Sequence, residues 1–386
     1  MTDLFIDTPA DLEALCVRLR GRPWLTLDTE FIREKTYRAR LCLVQVACDD
    51  VVACIDTLAL DDPGPLLELL FDPATTKVLH AARQDLEIFH DLAGGRVPAP
   101  VFDTQLAATL AGFGEQIGYA ELVRRLLGVQ LDKSQARTDW SARPLDPEQL
   151  SYAADDVRHL REVYARLHAR LESADRLDWL EEDFATLVDP ETYRNDPDSA
   201  WRKVRGANQL RGKQLAVLRA LAAWRETEAA AADRPRRWIM DDATLLALVR
   251  SSPSRRDQLG KVRGLGDGLI RRHGADLLEL IRAARDAKAT TEAPPPRPRP
   301  MSAAEEAGVD ALMALVRLQA HRHEVSPATL ATRRDLEALV RGERDLPLLT
   351  GWRHGLVGEL LQAFLAGEVR LDYAADGLRM ETTGST

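Results

Sequence analysis

The chain has 386 residues, is 45% hydrophobic and carries a net charge of −9. That length can bury a large core divided over two or three domains, while the overall negative charge, taken alone, argues against a nucleic-acid partner. No apolar run is long enough to cross a membrane, and Met1-Thr2-Asp3-Leu4 lacks the basic and apolar parts of a secretion signal, so a cytoplasmic protein is expected. Cys16, Cys42, Cys48 and Cys54 form no C-x-x-C pair, which predicts buried free thiols rather than a zinc site or a disulfide framework.

The first informative element is Trp24-Leu25-Thr26-Leu27-Asp28-Thr29-Glu30-Phe31, whose strand formers predict a buried strand. Alternation turns Asp28 and Glu30 to one side and Thr29 to the other. Two carboxylates at one buried spot repel each other and lose hydration unless a cation joins them; hard oxygen donors suit magnesium or manganese. A strand end whose carboxylates merely reach water is the plain alternative, so the pair needs company elsewhere in the chain.

Two runs over 37–47 and 50–56, split by Cys48-Asp49-Asp50, predict a hairpin that extends the sheet. Helix over 65–70, strand over 77–79, helix over 84–92, strand at 101–102 and helices over 105–110 and 119–127 then predict a sheet with helices on its faces. His80-Ala81-Ala82-Arg83-Gln84-Asp85 leads from strand to helix and puts Asp85 in the first helical turn. Asp103 reads either as the N-cap of the next helix or as a further acid of a site. In the loop over 137–145, Trp140 either stacks on a base or packs under the loop. A single long helix over 147–171 carries Tyr152 and Asp156, four apart and therefore on one face. Asp155 competes with Asp156, and His159 reads as a surface residue of that helix.

Four acids from three segments with a tyrosine beside them resemble the tyrosine branch of the DEDD superfamily of 3′→5′ exonucleases. There D-x-E lies on a strand, a second Asp opens a helix and Tyr-x-x-x-Asp closes the set. The resemblance implies an α/β ribonuclease H-like exonuclease domain with a mixed sheet and helices. It implies Asp28, Glu30, Asp85, Tyr152 and Asp156 as catalytic residues, and two divalent cations, Mg2+ or Mn2+, on Asp28, Glu30, Asp85 and Asp156. By the same resemblance Asp28 bridges both ions, Glu30 and Asp156 complete one site, Asp85 serves the other partly through water, and Tyr152 orients the attacking water. Thr29, Phe31, His80 and Trp140 become candidates for substrate contact.

Charge is unevenly spread. Residues 1–201 sum to −16, residues 202–288 to +10 and residues 289–386 to −3. A basic module next to an acidic catalytic one suits a polyanionic substrate, because Lys and Arg gain by releasing counterions from phosphates. The second half also repeats: Ile239–Arg250 parallels Leu330–Arg341 at an offset of 91, with Leu245, Leu248 and Val249 matching Leu336, Leu339 and Val340. Each copy is expected to continue through a turn into a last helix, at Arg263-Gly264-Leu265-Gly266 and at Trp352–Gly358. Pro294–Pro300 between them predicts an extended linker.

These two copies resemble HRDC domains, two small all-α modules. An exonuclease of this branch followed by two of them is the ribonuclease D arrangement. The expected divisions are 1–190 for the exonuclease, 207–288 and 302–380 for the HRDC domains and 289–301 for the linker. Gly264 and Gly266 either admit a phosphate to a helix start or serve a tight turn; Arg263, Arg271 and Arg272 are the candidate phosphate contacts. The resemblance implies a monomeric enzyme that removes 5′-mononucleotides from single-stranded RNA 3′ ends, including the 3′ trailer of precursor tRNA. A proofreading-type DNA exonuclease and a non-catalytic RNA-binding scaffold are the alternatives; the intact acidic set opposes the second.

Overall fold

The computed structural model describes residues 2–132, 134–135, 138–287, 299–375 and 377–382. The proline-rich stretch up to residue 298 and Arg137 of the loop before Tyr152 lie outside them. The chain divides into two compact units: Met1–Glu30, Cys42–Thr192 and Arg299–Thr386 form one, and Phe31–Leu41 with Tyr193–Pro298 form the other. The division falls directly after Glu30. Among the described residues no helix is long and apolar enough to cross a membrane.

The first unit is built on strands β1 (Thr2–Ile6), β2 (Trp24–Ile32), β3 (Arg40–Cys48), β4 (Val51–Ile55), β5 (Thr76–Leu79) and β6 (Val101–Asp103), in the spatial order β1-β4-β3-β2-β5-β6. β3 and β4 form the expected antiparallel hairpin, Val44 opposite Ile55 and Cys48 opposite Val51. β1 joins β4, β5 joins β2 and β6 joins β5 in parallel, so the sheet is mixed. β3 and β4 are buried along almost their whole length, as strands are when both sheet faces are covered. The strand β1 carries no clear alternation and has no counterpart in the sequence reading.

Helix α1 (Pro9–Leu19) has no counterpart in the sequence reading, while α2 (Gly64–Leu70), α3 (Arg83–Leu92), α4 (Thr104–Leu110) and α5 (Tyr119–Leu127) follow the expected order. The expected single helix over 147–171 is instead two, α6 (Pro147–Arg158) and α7 (Leu160–Ser173), broken at His159. Three side chains capture carbonyls at the break: Tyr119 Oη donates to Asp155 O, Thr26 Oγ1 to Val157 O and Arg161 Nε to Arg158 O. Side chains inserted into the i→i−4 ladder bend a helix in this way. His159 is half-buried rather than a surface residue. The break lets α6 lie against β4 while α7 reaches β5. α8 (Glu181–Val188) completes this part.

Lys77 of β5 is fully buried. Its Nζ donates to Asp72 O (3.0 Å), Thr75 O (2.6 Å) and Ala99 O (2.7 Å), closing the two loops that precede β5 and β6. Burial pulls its pKa down to about 8.

In the second unit the helices are α9 (Gly212–Ala231), α10 (Arg236–Ile239), α11 (Asp242–Ser251), α12 (Arg256–Leu259) and α13 (Asp267–Asp286), packed around Leu218, Leu221, Leu245, Leu248 and Leu277. Gly264 serves the turn before α13: its φ is +88° and an added Cβ would lie 2.1 Å from Thr244 Oγ1. A packing demand thus accounts for it without a phosphate.

The C-terminal module belongs to the first unit and contains α14 (Ala303–Arg322), α15 (Pro327–Leu330), α16 (Arg333–Val340), α17 (Gly351–Arg353) and α18 (Glu359–Leu365). The repeat extends well beyond the matched twelve residues. α9 and α14, α10 and α15, and α11 and α16 begin 91 residues apart, at Gly212/Ala303, Arg236/Pro327 and Asp242/Arg333. The last helices break this register, starting at Asp267 and Gly351. Trp352–Gly358 is accordingly not a turn before a helix: the chain runs from α17 to α18 through one π-helical segment, His354–Gly358. An added Cβ on Gly358 would lie 2.5 Å from Leu348 O, which explains the glycine there. The module is also not all-α. A hairpin of β7 (Val369–Ala374) and β8 (Gly377–Thr382) follows, with Leu371 and Met380 packed on the helical core.

Trp352 stacks on Trp179, ring centroids 4.5 Å apart and planes 5° from parallel. Arg176 lies over the Trp179 ring and Arg353 over the Trp352 ring, at 5.1 and 4.3 Å. Arg176 Nη2 also donates to His323 O and Ser326 Oγ to Glu115. These contacts make the C-terminal module part of the catalytic body. Replacing Lys77 with Met is expected to lower stability by about 3 kcal/mol in urea denaturation, since three buried carbonyls lose their donor.

Candidate active site

The site forms where β2, β5 and β6 end and α3 begins. Asp28 and Glu30 share one face of β2, and Asp156 of α6 joins them: one carboxylate oxygen from each lies within 4.8 Å of the others. Asp156, not Asp155, closes the cluster. Asp155 instead pairs with Arg158, which also reaches Asp3 on β1 at 2.6 Å.

Asp85 stands in the first turn of α3 as expected, yet it is outside that three-way cluster. Its Oδ1 accepts the hydroxyl of Thr29. Thr29, expected to face away from the site, is therefore engaged with one of its acids. The opening of α3 is fixed by Asp103, the buried N-cap of α4. Its carboxylate accepts Gln105 N and Leu106 N and also Ala81 N (3.1 Å) and Ala82 N (2.9 Å) from the loop leading to Asp85. The cap reading of Asp103 is the one its contacts match, with the added job of holding that loop.

Burial first, and then neighbouring negative charge, raises Asp28, Glu30, Asp85 and Asp156. Burial, then the charges of Asp156, Asp85 and Glu30, pushes Asp28 well above the carboxylate range. Burial first, then Asp156 and Asp85, lifts Glu30 to about 8. Asp156 is lifted to about 7 by burial and Asp155, and Asp85 to about 7 chiefly by burial, against its hydrogen bond from Thr29. These oxygens are hard, anionic and crowded, the donor chemistry of a divalent cation site.

Tyr152, one helical turn before Asp156, is half-buried. Burial, then the charges of Asp156, Glu30 and Asp28, raises its pKa. Trp140 is 3% exposed and sits 6.2 Å from the Tyr152 ring, tilted by 34°. Its face is closed to a base, so packing under the loop is the reading its burial matches. The loop is pinned by Arg143, which forks onto Asp56 (2.6 and 2.7 Å) and donates to Trp140 O and Cys42 O. His80 spends both ring nitrogens inside the fold, on Thr104 Oγ1 and Ile117 O at 3.0 Å each. Phe31 is half-buried near the end of β2, while Arg263, Arg271 and Arg272 are exposed in the second unit and take no part in the cluster.

Thr26, Tyr119 and Arg143 shape the site and escaped the sequence reading as site-builders. For Thr26 the signal was present: it is two residues before Asp28 and so on the same strand face. It is fully buried, and its single hydroxyl hydrogen is shared between Ala47 O (3.2 Å) and Val157 O (3.0 Å), tying β2 to the residue after Asp156.

The comparisons agree with this geometry. Residues 4–172 match a 3′-5′ exonuclease family model and residues 214–281 an HRDC domain model. The chain is similar to a ribonuclease D of Granulibacter bethesdensis, 45% identical over 97% of this chain and 95% of that one. A ribonuclease D of Gluconacetobacter diazotrophicus is 44% identical over 98% and 96%. Its fold is similar to the crystal structure of Escherichia coli RNase D, with a TM-score of 0.81 and 34% identity over 95% of this chain and 99% of that one.

Two measurements test the site's construction. Thr26→Val should cost about 1–3 kcal/mol in urea denaturation, with Thr26→Ser restoring most of it. In chelator, the raised carboxylates give a pH dependence of defined sign. Their folded pKa values exceed the unfolded ones, so their contribution is fully present below about pH 4 and fades as pH climbs through about 7 to 8. The melting temperature should therefore fall between pH 5.5 and 8.5, and Asp28→Asn should flatten that fall. A melting temperature that rises over this range would contradict the mutual repulsion.

Proposed function

The chain belongs to the ribonuclease D family and is a 3′-5′ exoribonuclease; from that premise we propose how its site works and on which RNA. Asp28, Glu30, Asp85 and Asp156 hold two divalent cations, Mg2+ or Mn2+. The single observation that carries this is the convergence of Asp28, Glu30 and Asp156 within 4.8 Å, an all-oxygen anionic set that fits such ions. Divalent cations held by these carboxylates would supply charge neutralisation for in-line attack of water on the 3′-terminal phosphodiester, with a 5′-mononucleotide as the product.

The chain's own groups do the rest. Asp28, Glu30 and Asp156 must shed protons to become ligands, so cation binding and deprotonation go together. Thr29 fixes the carboxyl of Asp85, and Asp103 fixes the loop before it. Tyr152 keeps its proton at neutral pH because burial and the neighbouring acids raise its pKa. It therefore orients the attacking water by hydrogen bonding rather than removing a proton. Trp140 packs beside it and holds the ring in place.

The proposed substrate is the single-stranded 3′ trailer of precursor tRNA. Support comes from likeness to the Escherichia coli enzyme, described as an exoribonuclease involved in structured RNA processing. The module from residue 302 to 380 is a second HRDC domain, a reading supported by the 91-residue register of its first three helices. The divisions 1–190 and 207–288 stand for the exonuclease and first HRDC domains. Four buried free cysteines suit the reducing cytoplasm, where the protein acts as a monomer.

Trimming of a labelled RNA with Mg2+ or Mn2+ tests the chemistry. Asp156→Asn should slow it about a hundredfold or more and Asp155→Asn far less, while chelation should abolish it. Equal losses from the two variants would remove Asp156 from the ligand set. A precursor tRNA trimmed no faster than an unstructured RNA would remove the substrate proposal.

A further inference from the structure

Of the seven tryptophans, six are buried or half-buried; Trp238 is 51% exposed. It sits in α10, within Arg234-Pro235-Arg236-Arg237-Trp238, where Arg234 and Arg237 are also exposed. A large aromatic face left in water beside cations is the makeup of a platform for unpaired bases, which stack while the cations follow the phosphates.

The second observation is what α10 holds. Arg236 grips Glu226 with Nε and Nη2 and lies over the ring of Tyr37, 5.1 Å from its centroid. The Tyr37 hydroxyl donates to the same Glu226, and Tyr37 N and Arg38 N both donate to Asp233 Oδ1 at 3.0 and 3.2 Å. The segment after Glu30 is thereby moored to α9, to α10 and to the loop between them, within the second unit. That segment, Phe31–Leu41, carries four cations against one anion, with Lys35 exposed. Chain length alone limits Lys35 to about 18 Å from Glu30, five residues away. Lys35 is therefore tied by a short tether to one of the acids of the candidate site.

We propose that Trp238, Arg234, Arg237 and Lys35 form a binding surface for single-stranded RNA, engaging substrate nucleotides other than the one being removed. The occupant is RNA rather than a protein partner because the surface is cationic, the region over 202–288 sums to +10 and the enzyme's substrate is a polyanion. Trp238 stacks a base without sequence preference, and the cations hold the backbone. This would give longer single-stranded ends an advantage that a very short oligonucleotide cannot have. The proposal rests on the exoribonuclease activity but not on the metal assignment.

The test compares KM for two RNAs with the same 3′ sequence, one of about 4 and one of about 14 nucleotides, using the full chain with Mg2+. The wild type should favour the longer RNA at least fivefold, and Trp238→Ala should bring the ratio of the two KM values close to one. Trp238→Phe should keep most of the ratio, since it keeps a stacking ring. The double variant Arg234→Ala, Arg237→Ala should lower the slope of log kcat/KM against log salt on the longer RNA by about 1.4. A wild-type ratio of one, a ratio that survives Trp238→Ala, or equal effects of Ala and Phe would each overturn the surface. Equal effects would indicate packing or a protein partner instead. A wild type that shortens neither RNA would overturn the exoribonuclease activity itself, a distinct outcome.

Discussion

Buried carboxylates that repel one another are the constraint on which the catalytic unit turns. Asp28, Glu30 and Asp156 are crowded within 4.8 Å, and Asp85 adds its charge from one side. Nothing about hydrophobic burial favours that arrangement; left to itself it would open. Its persistence depends on the scaffold around it. β2 is central in the sheet with neighbours on both sides, and α6 is tied to it by the shared hydroxyl of Thr26. Asp103 holds the entry to α3 by accepting two of its amides, Ala81 N and Ala82 N, and Arg143 pins the loop under which Trp140 lies. Rigid supports of this kind keep crowded charges in place until a cation offsets them.

The break at His159 belongs to the same scheme. A continuous helix would continue its own hydrogen-bond ladder through Asp155, Val157 and Arg158. Thr26 and Arg161 take the carbonyls of Val157 and Arg158, Tyr119 shares that of Asp155 with His159 N, and the two halves lie against different strands. The ladder is interrupted within three residues of Asp156, so the acid sits on a stretch of helix fixed from outside as well as by its own turn.

Much of this was legible because it follows short-range rules. Period-two alternation put Asp28 and Glu30 together, period-four spacing put Tyr152 above Asp156, and the order of strands and helices came through almost element by element. What was hidden depends on partners distant in sequence. Thr29 meets Asp85 across 56 residues and Thr26 meets Val157 across 131. Asp155 and Asp156 are indistinguishable by pattern, and only Arg158 and Asp3 separate them. Trp140 carries base-stacking chemistry in principle; burial withdraws it. The β7–β8 hairpin was overlooked because a helical repeat had already claimed the segment. The stack of Arg176, Trp179, Trp352 and Arg353 joins residues that no local pattern connects.

The split of charge gains meaning from these positions. The acids that crowd the candidate site contribute to the −16 of residues 1–201, and the anionic substrate must approach them. At physiological salt, exposed charges are screened beyond about 8 Å, so only cations close to the cleavage point offset that repulsion there. Two kinds of help are therefore needed, each at its own range. Cations at the carboxylates offset the repulsion where the bond is cut. Side chains that touch the strand elsewhere, by stacking and by phosphate contact, retain it between cuts. The tether from Glu30 into a segment with four cations and one anion allows one continuous stretch of chain to serve both ranges.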